Sequence, residues 1–124
     1  MFDNSLVFKK SKDKDFNFTN ILKMSESLIF KQCCNINITV ETKFNKLVID
    51  RCKNVNIHIG KTISGVDIEK SENISIYPLE PYKLCLVDCY DSVVDIHIRK
   101  ELGNNFPYPF EILDQSSIIS VKYI

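Results

Sequence analysis

The stretch that decides the fold is Leu28–Ile59, LIFKQCCNINITVETKFNKLVIDRCKNVNIHI, in which one pattern of residues occurs twice. Cys33 and Cys52 are nineteen residues apart, and so are Asn35 and Asn54. The period continues beyond Ile59 into a third copy. A fixed period of about twenty residues indicates a solenoid, in which each repeat is one small unit that stacks on its neighbours.

Each repeat contains two short segments in which apolar and polar residues alternate, as they do in half-buried strands. The first segments are predicted to pair in the order Leu28–Phe30, Leu47–Ile49, Val66–Ile68 and Cys85–Val87, and the second in the order Ile36–Val40, Val55–Ile59 and Ile74–Ile76. We therefore predict an all-β fold, a right-handed parallel β-helix with about 19 residues per coil over residues 1–105. Its first coil is expected to differ from the others, because it caps the stack.

Two features depart from the nineteen-residue period. Val94, Ile96 and Ile98 align with the third copy only with a step of twenty, which predicts a one-residue insertion near Tyr90–Val93. Residues 106–124 do not follow the repeat at all. They begin with Phe106-Pro107-Tyr108-Pro109, an extended stretch that cannot be helical.

After this extended stretch, two apolar runs, Phe110–Leu113 and Ile118–Ile124, are separated by polar turn residues. This pattern predicts a β-hairpin at the end of the same domain. An exposed hairpin of this composition is prone to aggregate, so we expect it to contact a second copy of the chain. The residues predicted to form the dimer contact are Phe106, Pro107, Pro109, Phe110, Ile112, Ile118, Ile119, Val121 and Tyr123.

The overall composition disfavours several classes of function. The 124 residues carry no formal net charge, so the chain lacks the basic excess of a general nucleic-acid or anionic-membrane binder. It has no apolar run of membrane-spanning length, and its first residues lack the order of a signal peptide. The sequence therefore predicts a cytoplasmic protein that binds neither nucleic acid nor membranes.

The residues that most often carry chemistry receive structural interpretations. Cys33 and Cys52 share a predicted core column, and no Cys-x-x-Cys pair suggests a metal site. The repeated asparagines are expected to hydrogen-bond along the stack. His58 and His97 each lie between two apolar residues, so they are predicted to point outward as solvated surface residues. Neither has a serine or cysteine nucleophile at a spacing that would indicate a catalytic triad. We predict no catalytic residue, metal or cofactor.

What remains is the outward surface of the solenoid, and a rigid charged wall of this kind commonly binds proteins. The predicted turns carry five cations, and these cations are the candidate residues for contact with a protein partner. These cations are Lys43, Arg51, Lys53, Lys61 and Lys70.

The repeats, together with the Phe-Pro-x-Pro segment that follows them, resemble the C-terminal β-helix domain of cyclase-associated proteins. The stretches that carry the resemblance are Leu28–Val40, Leu47–Ile59, Gly65–Ile76 and Phe106–Ile112. In that family the Phe-Pro-x-Pro segment also follows the last coil, although Glu-Gln usually comes next and this chain has Phe110-Glu111. The chain resembles a short version that consists of little more than the β-helix.

The resemblance implies a non-enzymatic protein that binds actin monomers and dimerises by exchanging its terminal hairpin. It would regulate actin filament turnover by sequestering monomers or by controlling their nucleotide state. Two alternatives remain. One is a cofactor C-like regulator of small GTPases or of tubulin folding, but the arginine of that branch falls near Asp67 here, and an anion cannot stabilise a transferring phosphate. The other is a structural β-helix scaffold.

Overall fold

The computed structural model describes residues 5–18, 23–79, 86–99 and 111–123. Within these ranges the chain forms short strands and no helix. The strands are β1 (Ser5–Lys9), β2 (Lys12–Phe18), β3 (Ser27–Lys31), β4 (Cys34–Val40), β5 (Phe44–Asp50), β6 (Lys53–Ile59), β7 (Thr62–Glu69), β8 (Glu72–Pro78), β9 (Leu86–Tyr90), β10 (Val93–Ile98), β11 (Glu111–Gln115) and β12 (Ile118–Tyr123).

The strands alternate between two parallel sheets. Sheet A contains the odd-numbered strands in the order β1-β3-β5-β7-β9-β11, and sheet B contains the even-numbered strands in the order β2-β4-β6-β8-β10-β12. Each consecutive odd and even pair is one coil, from coil 1 (β1 and β2) to coil 6 (β11 and β12). We call the corner that leads from sheet A to sheet B within a coil the A-to-B edge, and the opposite corner the B-to-A edge. The predicted all-β parallel β-helix is confirmed.

The core is a set of columns between the two sheets, because alternate residues of every strand point inward. Leu28 lies over Leu47 and then Val66 in sheet A, and Ile38 lies over Ile57 in sheet B. All of these side chains are fully buried. Burying one such side chain contributes about 1.5–3 kcal/mol, so the columns supply most of the favourable free energy of folding.

A ladder of small side chains closes the A-to-B edge. The backbone N–H of Cys33 donates to the sulfur of Cys52 at 3.4 Å, and that of Cys52 donates to the hydroxyl of Ser71 at 3.0 Å. The ladder continues to Ser92 at 3.1 Å and from there to Ser117 at 3.0 Å. Each side chain also donates to the carbonyl oxygen two residues earlier. The sequence interpretation of Cys33 and Cys52 as core residues is confirmed, and the sulfur of Cys52 also serves as a hydrogen-bond acceptor.

The repeated asparagines form the predicted hydrogen-bonded ladder. Asn35, Asn54 and Asn73 all have a left-handed backbone, with φ between 54° and 56°, a conformation that asparagine tolerates better than most residues. The amide of Asn54 donates to Asn35 at 2.9 Å, and the amide of Asn35 donates to Asp13 in coil 1 at 3.1 Å. A second ladder runs beside it through Asp15, Asn37 and Asn56.

The register slip lies elsewhere than predicted. Val66 pairs with Val87, a step of 21, so the predicted partner segment Cys85–Val87 is wrong. Val94 pairs with Ile74 at the predicted step of twenty. The connection from β8 to β9 is two residues longer than in earlier coils, and the corner from β9 to β10 is one residue shorter. The residue lost at this corner is the left-handed asparagine. In coil 4, Asn73 stands between Glu72 and Ile74, whereas in coil 5 no residue stands between Val93 and Val94.

The predicted C-terminal hairpin is also wrong. The strands β11 and β12 do not pair with each other; β11 pairs in parallel with β9, and β12 pairs in parallel with β10. They form coil 6 of the same solenoid, so residues 111–123 continue the β-helix. A polar break between two apolar runs is common to a hairpin turn and to a solenoid corner, and the sequence alone could not separate the two.

Coil 1 continues both sheets with a step of 22 residues, since Leu6 pairs with Leu28 and Phe16 pairs with Ile38. Aromatic rings fill this end of the core. The ring centroid of Phe8 is 4.9 Å from that of Phe30 in a stacked arrangement, and Phe16 meets Phe30 edge-on at 5.1 Å.

Ser71→Ala is expected to lower the free energy of unfolding by about 1–3 kcal/mol, because the buried N–H of Cys52 loses its acceptor. Chemical denaturation with urea measures the change. Ser71→Cys is the matched control, since cysteine occupies this position in coils 2 and 3, and it should cost less than the alanine variant. Equal stability of Ser71→Ala and the unchanged chain would contradict the role of the edge ladder.

Candidate functional site

The five candidate cations do not form one surface. Arg51, Lys53 and Lys70 lie exposed on the A-to-B edge. Lys43 and Lys61 lie in adjacent coils on the B-to-A edge, where the N–H of Phe44 donates to the carbonyl oxygen of Lys61. The sequence predicted all five in turns, but Lys53 is the first residue of β6, and the sequence could not show which turns share an edge.

The A-to-B edge carries a row of cations, which we call the basic strip: Lys10, Lys12, Arg51, Lys53 and Lys70. Lys10, Arg51 and Lys70 occupy one left-handed corner column, and Lys12 and Lys53 belong to the column that follows it. The backbone N–H of Arg51 and that of Lys70 each donate across the coils at 2.9 Å. Neighbouring coils of a parallel sheet are about 4.8 Å apart. The corner backbone therefore holds the cations of coils 1, 3 and 4 in fixed positions, while Gln32 and Cys34 occupy the equivalent positions of coil 2.

Acidic residues limit the basic strip. The guanidinium of Arg51 pairs with the carboxylate of Asp50 at 3.1 Å. Glu72 follows Lys53 in its column, and Asp91 follows Lys70 in the corner column. The sign thus changes between coils 3 and 4 in the column of Lys53 and between coils 4 and 5 in the corner column, so the strip presents its positive charge in the N-terminal coils.

The predicted dimer residues fall into two groups. Ile112, Ile119 and Val121 point inward and pack against the core as part of coil 6. Ile118 points outward and is 68% exposed, and the side chain of Tyr123 is 36% exposed. Phe106, Pro107, Pro109 and Phe110 lie outside the described residues.

The outward face of sheet A is acidic in its C-terminal half. Asp67 forms an ion pair with Lys46 at 2.9 Å. Asp67, Glu69 and Asp88 line a depression of about 260 Å³. No three His, Cys, Asp or Glu side chains within the described ranges are grouped so that they could hold a metal ion.

The two histidines belong to a stack that the sequence interpretation missed. The ring of Tyr77 lies between those of His58 and His97, with centroid separations of 4.7 and 4.6 Å and interplanar angles of 8° and 10°. All three rings are half-buried on the outward face of sheet B. Pairing His97 with Tyr77 requires the step of twenty between coils 4 and 5, and applying that step to every column would have revealed the stack.

Two buried thiols have strongly altered acidity. Burial raises the pKa of Cys52 to about 11 and that of Cys89 to about 12, because the thiolate is poorly solvated in the core. The carboxylates of Asp88, Asp114 and Asp67 add to the shift at Cys89. Both residues are free cysteines. They are therefore inert thiols at neutral pH, as the sequence interpretation expects for Cys52, whereas it did not place Cys89 in the core.

Because the folded pKa of Cys52 lies above its ordinary value of 9.0, the unfolded chain loses its thiol proton first as the pH rises. The contribution of Cys52 to stability should therefore be constant below about pH 9 and fall up to about pH 11 by as much as ~1.4 kcal/mol per pH unit, and Cys89 should add a similar fall up to about pH 12. Urea denaturation at a series of pH values measures this slope. Cys52→Ser keeps an acceptor in the edge ladder and should have a shallower slope; an identical slope would contradict the assignment.

Comparison with known proteins gives one family. A family model described as adenylate cyclase associated (CAP) C terminal matches residues 6–104, which is most of the chain. A search of curated proteins found no match. In the part of the chain that the structure describes, no helix is both long enough and apolar enough to cross a membrane. The matched range spans the basic strip and the repeats that carry the resemblance, and the chain belongs to the family of the C-terminal domain of adenylate cyclase-associated proteins.

Proposed function

We propose that this protein binds actin monomers without catalysing a reaction, and that it regulates filament turnover by sequestering the monomers or by controlling their nucleotide state. The observation that carries the proposal is the family match over residues 6–104. Actin binding is the activity that the resemblance implies for a β-helix of this family. A cytoplasmic location is part of the same proposal, since actin monomers are found there.

The basic strip is the part of the wall that we propose for the contact. Its side chains are exposed and rise from a backbone that is fixed by hydrogen bonds between coils. A preformed row of charges favours fast, specific encounter with an acidic surface and loses little conformational freedom on binding. Lys43 and Lys61 lie on the opposite edge, so they cannot contact the same flat surface at the same time as the strip.

The double variant Lys53→Glu, Lys70→Glu is expected to weaken binding of actin monomers at least about tenfold, because it reverses two of the five charges of the strip. Arg51 is left unchanged, since its loss would also release the half-buried Asp50. Titration of fluorescently labelled ADP-actin monomers measures the affinity. Lys43→Glu, Lys61→Glu has the same charge change on the other edge and should bind as the unchanged chain does.

The outcomes of this titration separate the two parts of the proposal. No binding by the unchanged chain at micromolar actin would reject the actin role and favour a scaffolding β-helix. Binding that both double variants weaken equally would reject the basic strip as the contact while leaving the actin role in place.

We also propose that the chain forms a homodimer through coil 6. The strands β11 and β12 are the last strands of their sheets within the described residues, so their outer edges are available for pairing with another chain. Ile118 and its neighbour Val93 form an exposed apolar pair beside these edges. The resemblance implies that two copies exchange their C-terminal strands. If they do so here, the exchanged element is coil 6 and not a hairpin.

Ile118→Glu is expected to convert the dimer to a monomer, because a carboxylate in a closely packed interface is not solvated. Light scattering coupled to size-exclusion chromatography measures the mass. Ile63→Glu is the matched control, since Ile63 is also exposed, at 48%, but lies in coil 4. Deleting coil 6 is a poor test because it would uncover Val87 and Val94, which are buried in coil 5. A monomeric unchanged chain would reject the proposal.

A further inference from the structure

A cleft of about 210 Å³ lies where the ring stack meets the B-to-A edge. The stacked rings line it together with Pro78 and Leu79. Arg99 lies at its rim and is exposed. We call this the aromatic cleft. It is separate from the basic strip, which lies on the opposite edge, and from the exposed pair at coil 6.

The arrangement of the rings restricts what the cleft can bind. Because His58, Tyr77 and His97 stack face to face at 4.6–4.7 Å, the spaces between them are closed to another planar ring. A nucleic-acid base that stacks on exposed ring faces is therefore a poor fit. The ring edges carry the positive part of the aromatic quadrupole and attract partly negative atoms.

Within the part of the chain that the structure describes, the charged residue that lines the cleft is a cation. None of the six lining residues is acidic, and Arg99 is one of them. Lys122 pairs with His97 in the next coil and is also exposed. Asp95 projects from the same strand as His97, but on the side away from Arg99, because residues 95, 97 and 99 alternate outward along β10 and its end. The guanidinium of Arg99 has five N–H donors, so it can serve an incoming carboxylate in addition to an existing partner.

The size of the cleft selects a single apolar group. An apolar cavity of roughly 150 Å³ in a protein holds one benzene molecule. A cleft of about 210 Å³ therefore takes one leucine or phenylalanine side chain with part of its backbone. Half-buried apolar walls of this size with a polar rim are typical of sites that receive an anchoring side chain of a partner protein.

We propose that the aromatic cleft binds a peptide segment of a protein partner in which a leucine or phenylalanine stands next to an acidic residue. The apolar side chain enters between Leu79 and the ring stack, and the carboxylate lies against the ring edges and Arg99. This site does not depend on the actin role of the basic strip, and the two can fail separately.

The test is a titration of the full-length, isotopically labelled chain with a capped five-residue peptide that has leucine between two aspartates, followed by NMR. We expect saturable shifts of the His58 and His97 ring signals and of the Leu79 methyl signals. Replacing the peptide leucine with alanine should weaken binding at least about tenfold, since the anchoring side chain is lost. Replacing the aspartates with lysines should abolish the shifts.

Leu79→Glu places a carboxylate in the cleft and should abolish binding of the acidic peptide. Thr39→Glu is the matched control, because Thr39 adjoins His58 in the same column but lies one coil further from the cleft, and it should bind normally. The absence of saturable shifts up to ~2 mM peptide, which corresponds to very weak binding, would overturn the proposal. So would equal binding of the lysine peptide, or equal shifts with adenosine monophosphate. A cleft already filled by another segment of this chain would give no shifts and would overturn it too.

Discussion

The structure depends on the in-register parallel pairing of one coil with the next. Every inward column, every edge ladder and every outward row exists only because residues at equivalent positions are held about 4.8 Å apart. The backbone bonds do this along the strands. At the A-to-B edge, where the chain must turn, the Cys33–Ser117 ladder takes over, because its side chains accept the N–H groups that the turn would leave unpaired. A slip of one residue would expose the core and break this ladder at the same time.

The same constraint explains how the chain tolerates variation between its coils. Coils 2, 3 and 4 keep a left-handed asparagine after the corner, whereas coil 5 omits it and is one residue shorter there. The edge ladder is not interrupted, because Ser92 still meets both Ser71 and Ser117. Length differences are thus absorbed next to the corner and in the connections at the B-to-A edge. The core columns remain in register throughout.

A rigid scaffold of this kind separates its surfaces from one another. The basic strip lies on one edge, the aromatic cleft lies near the other, and the exposed Ile118 lies at the end. Each surface is built from residues that are far apart in sequence and adjacent in the stack. A substitution in one surface is therefore expected to leave the structure of the other two unchanged. This independence is why the actin contact, the dimer contact and the peptide site are proposed as separate events. The family to which the chain belongs supports the first of these most directly.

The sequence by itself determined the β-helix, because a column such as Leu28, Leu47 and Val66 needs only a constant period to be recognised. It also placed the asparagines and the buried Cys33 and Cys52. It did not determine the step of 21 between β7 and β9, since the residues that lengthen the connection carry no repeat signal. For the same reason it could not tell coil 6 from a hairpin. Only the tertiary structure decided which residues of different coils meet, because the distance between Lys53 and Lys70, or between Tyr77 and His97, is set by stacking and not by position along the chain.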